Sequence, residues 1–397
     1  MTAPITLWTK APHAGYFINS VAISADGSRI AAGTFFHDYS SSAKSAELAT
    51  LRRISSTAAA EQSQYGVFGT YVWDNAGNAL LTKTFNGWQG VYWVDLSADG
   101  ETVASGGWYQ GDPTYDGFFA AYDIASQSEL LMYNPPKRGN MVRLNANGTV
   151  LVAGADQGYL FVRAPGGSFA APVAIPLTNS SDQVLVALID AAGSTGLIVS
   201  YYGEVIVFVQ SGGVINQQQS WQVPNSAYVH AGALASDGSY AYVGANDGNL
   251  YALRIADFLS DPAPAWSAAI PGGARTIYGV TCSADGSMIG VAGNVSSGGG
   301  VVALYANKYN AGALYWQSTT TQSPNGLSMD ASGTYLGAAD GHSSSGDFTL
   351  WQPLFNLQLW TYATSEMCWP IAIAATAAYV AAGSDDSNVY LFQGPAA

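Results

Sequence analysis

Few side chains in this sequence are suited to acid–base, nucleophilic or metal chemistry. The best candidates are four histidines and two cysteines: His13, His37, His230, His342, Cys282 and Cys368. No two of these residues have the short spacing of metal ligands, so the cysteines are expected to be isolated thiols in the core. The sequence contains no nucleophile elbow, zinc-protease helix or phosphate-binding loop. We therefore expect neither a metal nor a cofactor, and an enzyme is not the favoured interpretation.

One short pattern recurs along the chain and must position any site. An apolar stretch runs into a tight turn seven times, as in Val21–Gly27, Val94–Gly100 and Val280–Gly286, and Ile371–Ala377 is a decayed eighth copy. Successive turns lie 44–48 residues apart, except for a first gap of 73. Asp-Gly and Asn-Gly at these positions predict hairpin turns of type I′, in which both central residues have positive φ.

Each repeat has room for four short strands, which is typical of one blade of a β-propeller. In five copies a glycine follows the turn by six residues, and tryptophan often recurs in the last strand. Leu7–Thr9 repeats the sequence of Leu359–Thr361 in that last strand. The sequence predicts an all-β protein, an eight-bladed β-propeller with four antiparallel strands per blade. The N-terminal strand is expected to complete the last blade, and residues 1–397 to form a single domain.

The long first gap predicts an insertion at 36–64, between the second and third strands of blade 1. The other longer connections, 108–116, 134–140, 294–298 and 342–347, fall on the same face of the ring. We call this the long-loop face, and the opposite side, where the repeated turns lie, the tight-turn face. Binding residues are commonly carried on loops, so a ligand site is expected on the long-loop face.

The innermost strand of each blade changes character towards the long-loop face. Residues four and six positions before the turn are almost all apolar and, by strand alternation, are expected to pack between blades. Eight positions before the turn the residues are mostly polar or aromatic: Asn19, Tyr92, Asn140, Leu185, His230, Tyr278, Asn325 and Trp369. We expect this row at the mouth of the central channel, where it suits a neutral polar ligand. The alternative is that these groups satisfy backbone at strand ends.

Other aromatic and basic residues are expected near the same rim. Tryptophans in the outermost strands (Trp8, Trp221, Trp266, Trp316, Trp360) should pack between blades, whereas Trp88, Trp108 and Trp369 fall outside that register. The basic residues Lys137, Arg138, Arg143 and Arg275 fall on or near this rim, so a ligand with a carboxylate or phosphate is an alternative to a neutral one. For Arg143 the other interpretation is an internal ion pair with Asp95, which occupies the equivalent position of the adjacent blade. The turn aspartates Asp26, Asp99, Asp237 and Asp285 are expected to act as turn formers. The predicted ligand-binding set is Asn19, Trp88, Tyr92, Trp108, Lys137, Arg138, Asn140, His230, Arg275, Tyr278, Asn325 and Trp369.

Composition excludes several function classes. Only 10% of residues are charged, and the net charge is −14, so nucleic acid and anionic membrane surfaces are not expected partners. No apolar run approaches 18 residues, so no membrane span is predicted. The first eight residues lack the basic and apolar regions of a signal peptide. Composition alone suggests a periplasmic or extracellular protein.

The repeat resembles two groups of propellers. The Ser-x-Asp-Gly turn, the glycine after the second strand and the Asp-Gly before the third strand are similar to WD40-like repeats. Eight blades and a recurring Leu-Trp in the outer strand look more like the quinoprotein-like group and the outer-membrane assembly lipoprotein BamB. The resemblance implies the fold and does not imply a function. The vicinal cysteine pair expected from quinoprotein dehydrogenases is absent, which opposes quinone binding.

Three functional hypotheses follow. The first is a non-catalytic binding module that recognises a small polar or glycan-like ligand, or a protein loop, at the long-loop face over the channel. The second is a protein-interaction scaffold resembling BamB, which uses the rim and the 36–64 insertion. The third is a lyase or hydrolase with His230 as general base and Tyr92 or Tyr278 as acid.

Overall fold

The computed structural model describes residues 3–35, 67–86, 90–112, 115–295, 298–308, 311–342 and 345–396. Within them the chain is almost entirely β-structure, and its strands form eight four-stranded antiparallel blades, two of which are joined into one sheet by the pairing of Phe35 with Gly90. The predicted eight-bladed propeller is confirmed. The 36–64 insertion and Trp88 lie outside the described residues.

Blades are numbered in chain order, and the strands of each blade are given from the channel outwards. Blade 1 contains β2 (Phe17–Ile23), β3 (Arg29–Phe35), β4 (Val67–Asp74) and β5 (Ala79–Asn86). Blade 2 contains β6 (Gly90–Leu96), β7 (Thr102–Asp112), β8 (Tyr115–Asp123) and β9 (Glu129–Tyr133). Blade 3 contains β10 (Met141–Leu144), β11 (Val150–Gly154), β12 (Gly158–Val162) and β13 (Val173–Ile175). Blade 4 contains β14 (Val184–Ile189), β15 (Thr195–Ser200), β16 (Glu204–Ser211) and β17 (Val214–Gln222).

The second half of the ring repeats this plan. Blade 5 contains β18 (Val229–Leu234), β19 (Tyr240–Ala245), β20 (Asn249–Arg254) and β21 (Trp266–Ala269). Blade 6 contains β22 (Thr276–Cys282), β23 (Met288–Asn294), β24 (Gly300–Lys308) and β25 (Ala311–Thr320). Blade 7 contains β26 (Pro324–Met329), β27 (Leu336–His342), β28 (Ser345–Gln352) and β29 (Leu357–Thr364). Blade 8 contains β30 (Cys368–Ile373), β31 (Tyr379–Ser384), β32 (Val389–Gln393) and β1 (Thr6–Lys10).

Helical structure in the described part of the chain is confined to short connections. These are α1 (Ile255–Phe258) and three 3₁₀ turns, Pro224–Ser226, Pro271–Gly273 and Pro353–Phe355. No helix in the described ranges has the length and apolar character that crossing a membrane requires.

The ring closes through the N-terminal strand, as predicted. β1 pairs antiparallel with β32 and supplies the outermost strand of blade 8. The innermost strands contact their neighbours in order around the ring, and β30 contacts β2. Because the last blade combines both ends of the chain, hydrogen bonds as well as packing hold the closure.

Backbone hydrogen bonds also join the blades at the tight-turn face. They involve the small residue two positions before the last residue of each turn (Gly27 in blade 1). We call this set the alanine ring: Ala25, Ala98, Ala146, Ala191, Ser236, Ala284, Ala331 and Ala375. The Ala25 N–H donates to Ala98 O at 3.0 Å, and the Ser236 N–H donates to Ala284 O at 2.8 Å. Small side chains allow the backbones of neighbouring blades to approach this closely.

The repeated turns are of type I, so the type I′ expectation was wrong. The Gly27 N–H donates to Ser24 O at 2.9 Å, and within this turn only Gly27 has positive φ, at 75°. The Asp26 carboxylate accepts hydrogen bonds from the Ser24 hydroxyl (2.7 Å) and the Ser28 N–H (2.9 Å). These bonds lower the pKa of Asp26 although partial burial opposes them. The aspartate is therefore a turn former, as predicted.

The glycines that follow the turn by six residues lie where the next blade comes closest. A Cβ added to Gly33 would lie 2.5 Å from Val91 Cγ1, and one added to Gly383 would lie 2.3 Å from Ile18 Cγ2. Val91 and Ile18 belong to the innermost strand of the following blade. Glycine is therefore required here for close packing between blades.

The outermost tryptophans bridge neighbouring blades, as predicted. Trp266 Nε1–H donates to Asn307 Oδ1 at 3.0 Å, and Trp316 Nε1–H donates to Asn356 Oδ1 at 2.9 Å. Each bond runs from the outermost strand of one blade to the blade that follows. The indoles thereby bury their rings and satisfy their single donor in the same contact.

We predict that Gly383→Ala destabilises the ring. The added methyl group overlaps Ile18, and overpacking of this kind typically costs about 1–3 kcal/mol. The measurement is the thermal melting midpoint, which should fall. Gly167→Ala is the matched control, because its Cβ would meet nothing closer than 3.4 Å. Equal melting midpoints for the two variants would contradict this account of the repeat glycines.

Candidate functional site

Most of the predicted ligand residues lie on five consecutive blades of the long-loop face. Seven of them are on blades 2 to 6: Tyr92, Trp108, Lys137, Arg138, Asn140, His230 and Tyr278. Asn19, Asn325 and Trp369 lie on blades 1, 7 and 8. Arg275 is exposed just before β22, and no side-chain contact within the described ranges ties it to the others.

A β-bulge interrupts the innermost strand at six of these positions. The pairing with the second strand shifts register at Asn19, Tyr92, His230, Tyr278, Asn325 and Trp369. A bulge inserts an unpaired residue and re-aims its side chain. Strand alternation does not continue through the bulge, so alternation does not set the direction of these side chains.

The three asparagines of this row hold neighbouring blades together. Asn19 Nδ2 donates to Tyr92 O at 2.7 Å, Asn140 Nδ2 to Val184 O at 2.8 Å, and Asn325 Nδ2 to Cys368 O at 2.9 Å. Each acceptor is a backbone carbonyl on the innermost strand of the following blade. These amides make the backbone contacts of the alternative interpretation, and their ligand-binding role stays a prediction.

An arginine lies between aromatic rings at the seam of blades 2 and 3. The Arg138 guanidinium carbon is 4.3 Å from the centre of the Tyr92 ring and 4.1 Å from that of Trp108. Phe35 stacks on Trp108 at 5.6 Å, and Arg138 Nε–H donates to Asn140 Oδ1. Cation–π contacts of this kind fix both the cation and the rings. The structure thus brings four predicted residues into one cluster.

Three tyrosines that the sequence analysis did not select form an open surface between blades 4 and 5. We call Tyr201, Tyr202 and Tyr228 the tyrosine shelf. The Tyr201 and Tyr228 rings stack at 4.5 Å with an interplanar angle of 14°, and Tyr202 lies 5.6 Å from Tyr228. Tyr202 and Tyr228 are each 43% exposed. The missed signal was Tyr-Tyr in the short loop between β15 and β16, where large aromatic residues have no core to fill.

Buried polar groups support the shelf from the neighbouring loop. Asp182 is buried, and its Oδ2 accepts a hydrogen bond from the Tyr202 N–H at 3.1 Å. Lys137 Nζ donates to Asp182 O at 3.0 Å. Lys137 therefore anchors the loop before β14, and the shelf is connected to the Arg138 region through blade 3.

His230 and Tyr278 continue the aromatic surface towards the channel. The His230 ring lies 5.4 Å from Tyr201 and 5.3 Å from Tyr278. Burial lowers the pKa of His230, so the neutral imidazole is favoured. Burial also raises the pKa of Tyr278, and the nearby Tyr92 and Tyr201 hydroxyls add to the shift. Tyr92 and Tyr278 belong to opposite blades, so these side chains extend across the mouth of the channel.

The other side of the long-loop face is acidic. Asp340 and Asp347 are paired directly across β27 and β28, and the Asp347 N–H donates to Asp340 Oδ1 at 3.1 Å. Burial, together with the Asp347 charge, raises the pKa of Asp340 to about 7. Burial also raises the pKa of Asp347. Like charges directly opposite in a sheet are unfavourable, so protonating one of them relieves repulsion.

A cavity of about 360 Å³ occupies the tight-turn half of the channel. Arg143 and Asp95 are among its lining residues, and Arg143 Nη1 donates to Asp95 Oδ1 at 2.8 Å. The predicted ion pair is confirmed. None of the twelve predicted ligand residues lines this cavity, so it is separate from the long-loop surface.

Comparison with known proteins identifies the fold. No protein-family model matches the chain, and no curated protein matches it significantly. Among solved structures it is similar to Saccharomyces cerevisiae Sqt1, with a TM-score of 0.70 and 9% identity over 99% of this chain and 100% of that one. It is also similar to the β-propeller domain of Myceliophteria thermophila Cps50 (Swd1), with a TM-score of 0.56 and 13% identity over 76% and 95%. The fold is that of a β-propeller.

We predict that Asn140→Ala destabilises the protein. The substitution removes the hydrogen bond to Val184 O, and leaving a buried group without its partner costs about 1–3 kcal/mol. The melting midpoint should fall, whereas Asn216→Ala on the exposed outermost strand β17 should leave it unchanged. A stable Asn140→Ala variant would show that the seam does not depend on this amide.

Asp340 should make stability depend on pH. Its carboxyl ionises near pH 4 in the unfolded chain but near pH 7 in the native state. Between these values the unfolded state has lost a proton that the native state keeps, so stability falls as pH rises. Asp340→Asn should reduce this fall and raise the melting midpoint at pH 7.5 relative to wild type. Asp261→Asn, at an exposed site, is the control, and an unchanged pH profile in Asp340→Asn would contradict the assignment.

Proposed function

We propose that this chain is a non-catalytic binding propeller that takes a small polar ligand of the saccharide type on its long-loop face. The observation that carries the proposal is the tyrosine shelf. Two of its rings are 43% exposed although tyrosine is largely apolar, and they are held in place by stacking. Aromatic faces cover the apolar C–H surface of a sugar, and phenolic hydroxyls bond to its hydroxyl groups.

The surroundings of the shelf favour a neutral ligand. Lys137 donates to backbone carbonyls, and the Asp182 carboxylate accepts from the Tyr202 N–H, so both charged groups already have partners. His230 is favoured in its neutral form by burial. A ligand here therefore meets aromatic rings, hydroxyls and an imidazole rather than an uncompensated charge.

The contacts of His230 favour binding over catalysis. In the described part of the chain its ring meets Tyr201 and Tyr278, and no carboxylate orients the imidazole. A general base is usually oriented by such a partner, and a reacting group needs an enclosed pocket. The cavity in the channel is lined by other residues, so the lyase or hydrolase hypothesis has less support.

A second candidate function is a protein-interaction scaffold. It is favoured by exposed apolar side chains on the outer rim of blades 6 and 7, where Phe355 is 70% exposed. Leu314, Tyr315, Leu354 and Leu357 are also exposed there, and Trp316 bonds to Asn356 between the two blades. Contiguous exposed apolar surface is typical of protein contacts. A protein loop seated on the long-loop face belongs to the same candidate.

The test is a thermal-shift and calorimetric screen of cellotriose, maltotriose, chitotriose and galactobiose. At about 100 times its dissociation constant, a bound ligand adds about 2.7 kcal/mol of stability. Wild type should respond to at least one sugar, and Tyr202→Ala/Tyr228→Ala should lose that response. Leu314→Ala/Tyr315→Ala is the matched control, because it removes two exposed residues from the outer rim instead. A blank screen, or a response retained without the two shelf tyrosines, would overturn the saccharide proposal and place the scaffold first.

A further inference from the structure

We propose a second binding site, in the tight-turn half of the channel, that takes a short zwitterionic peptide with its free carboxylate on Arg143. The inference is independent of the long-loop site. The cavity there has a volume of about 360 Å³, which lies within the range of small-molecule sites.

Arg143 has donors to spare at the wall of this cavity. A guanidinium carries five N–H groups, and the described hydrogen bond of Arg143 uses only Nη1. The side chain remains 41% exposed, and its guanidinium carbon lies 5.9 Å from the Trp93 ring centre. A carboxylate can therefore bind the guanidinium without displacing Asp95.

Asp95 does not compete further for those donors. Its Oδ1 accepts from Arg143, and its Oδ2 accepts from the Leu144 N–H at 2.8 Å. Both oxygens are thus used within the seam of blades 2 and 3.

The ion pair breaks the symmetry of the ring. Equivalent positions in the other blades are uncharged: Ala22, Leu188, Ala233, Thr281, Ser328 and Ala372. At the seam of blades 7 and 8, Ser328 Oγ accepts from the Ile373 N–H at 3.0 Å, in the way that Asp95 accepts from Leu144. A serine therefore meets the structural need, and a charged pair is not required for closing a seam.

The mouth of the cavity selects against a simple anion. Each of four exposed aspartates, Asp26, Asp99, Asp237 and Asp285, directly follows a member of the alanine ring that lines the cavity. These carboxylates do not line the cavity themselves, but together with a net charge of −14 they make its surroundings acidic, which disfavours a free anion and favours an ammonium group. A ligand that carries both charges satisfies both ends.

The two charged ends lie at different depths of the channel. Arg143 is in the innermost strand β10, and the rim aspartates belong to the turns that follow the innermost strands of other blades. A short extended peptide, at about 3.5 Å per residue, carries its ammonium group and its carboxylate at different depths.

The experiment is calorimetric titration with triglycine and two derivatives that each lack one charge. Wild type should bind triglycine and should bind triglycinamide, which lacks the carboxylate, about ten- to a hundredfold more weakly. N-acetyltriglycine, which lacks the ammonium group, should also bind more weakly. No heat from triglycine, or equal affinity for the three compounds, would overturn the proposal.

Variants locate the binding and separate it from the long-loop face. Arg143→Gln alone leaves Asp95 without its partner and can impair folding. Asp95→Asn/Arg143→Gln removes both charges, so it should melt cooperatively and lose triglycine binding. Asp237→Asn/Asp285→Asn should weaken triglycine binding but not that of N-acetyltriglycine. Tyr202→Ala/Tyr228→Ala should bind triglycine as wild type does, whatever its response to sugars. Binding retained by Asp95→Asn/Arg143→Gln, or lost with the shelf tyrosines, would refute the site.

Discussion

The seam between neighbouring innermost strands is the constraint on which the rest of this structure depends. It is held at three levels along the channel. At the tight-turn end, backbone hydrogen bonds join members of the alanine ring. In the middle, glycines such as Gly33 and Gly383 admit Val91 and Ile18 from the next blade. At the long-loop end, Asn19, Asn140 and Asn325 donate to the backbone of the following blade. A ring has no free end at which a mismatch can relax, so each level restricts residue size or type.

This constraint explains why the architecture could be predicted from the sequence. A small residue and a turn recur in each blade, and a close-packed glycine recurs in five of the eight, so the repeat in the sequence reflects the seam. The packing of the outermost tryptophans between blades could be predicted for the same reason. Trp266 and Trp316 occupy the same position in the outermost strands of two blades and make equivalent contacts. The turn type was mispredicted because Asp-Gly is compatible with both geometries, and the Asp26 carboxylate favours type I by bonding to Ser24 and Ser28.

The candidate site was harder to predict because it departs from regular strand geometry. Bulges at Tyr92, His230 and Tyr278 end the alternation on which the placement of their side chains rested. Tyr92, Trp108, Arg138 and Asn140 from the predicted set nevertheless contact one another in the structure, because polar and aromatic residues concentrate where the strands approach the long loops. Tyr201, Tyr202 and Tyr228 were missed because they lie in loops, outside any repeated register. Their proximity is set by two chain segments that the sequence alone does not relate.

Residues that break the repeat are therefore the most informative about function. The alanine ring keeps a small residue in every blade, because each of its positions closes the same kind of seam. Two features occur only once in the eight blades: Tyr201-Tyr202 and the Asp95–Arg143 pair. The other seams close without either of them. Burying Asp95 raises its pKa, a cost of desolvation that Arg143 only partly offsets. The other blades close without such a charge, and this contrast is the reason for proposing a ligand at Arg143. The two proposals together assign different ligands to the two ends of one channel.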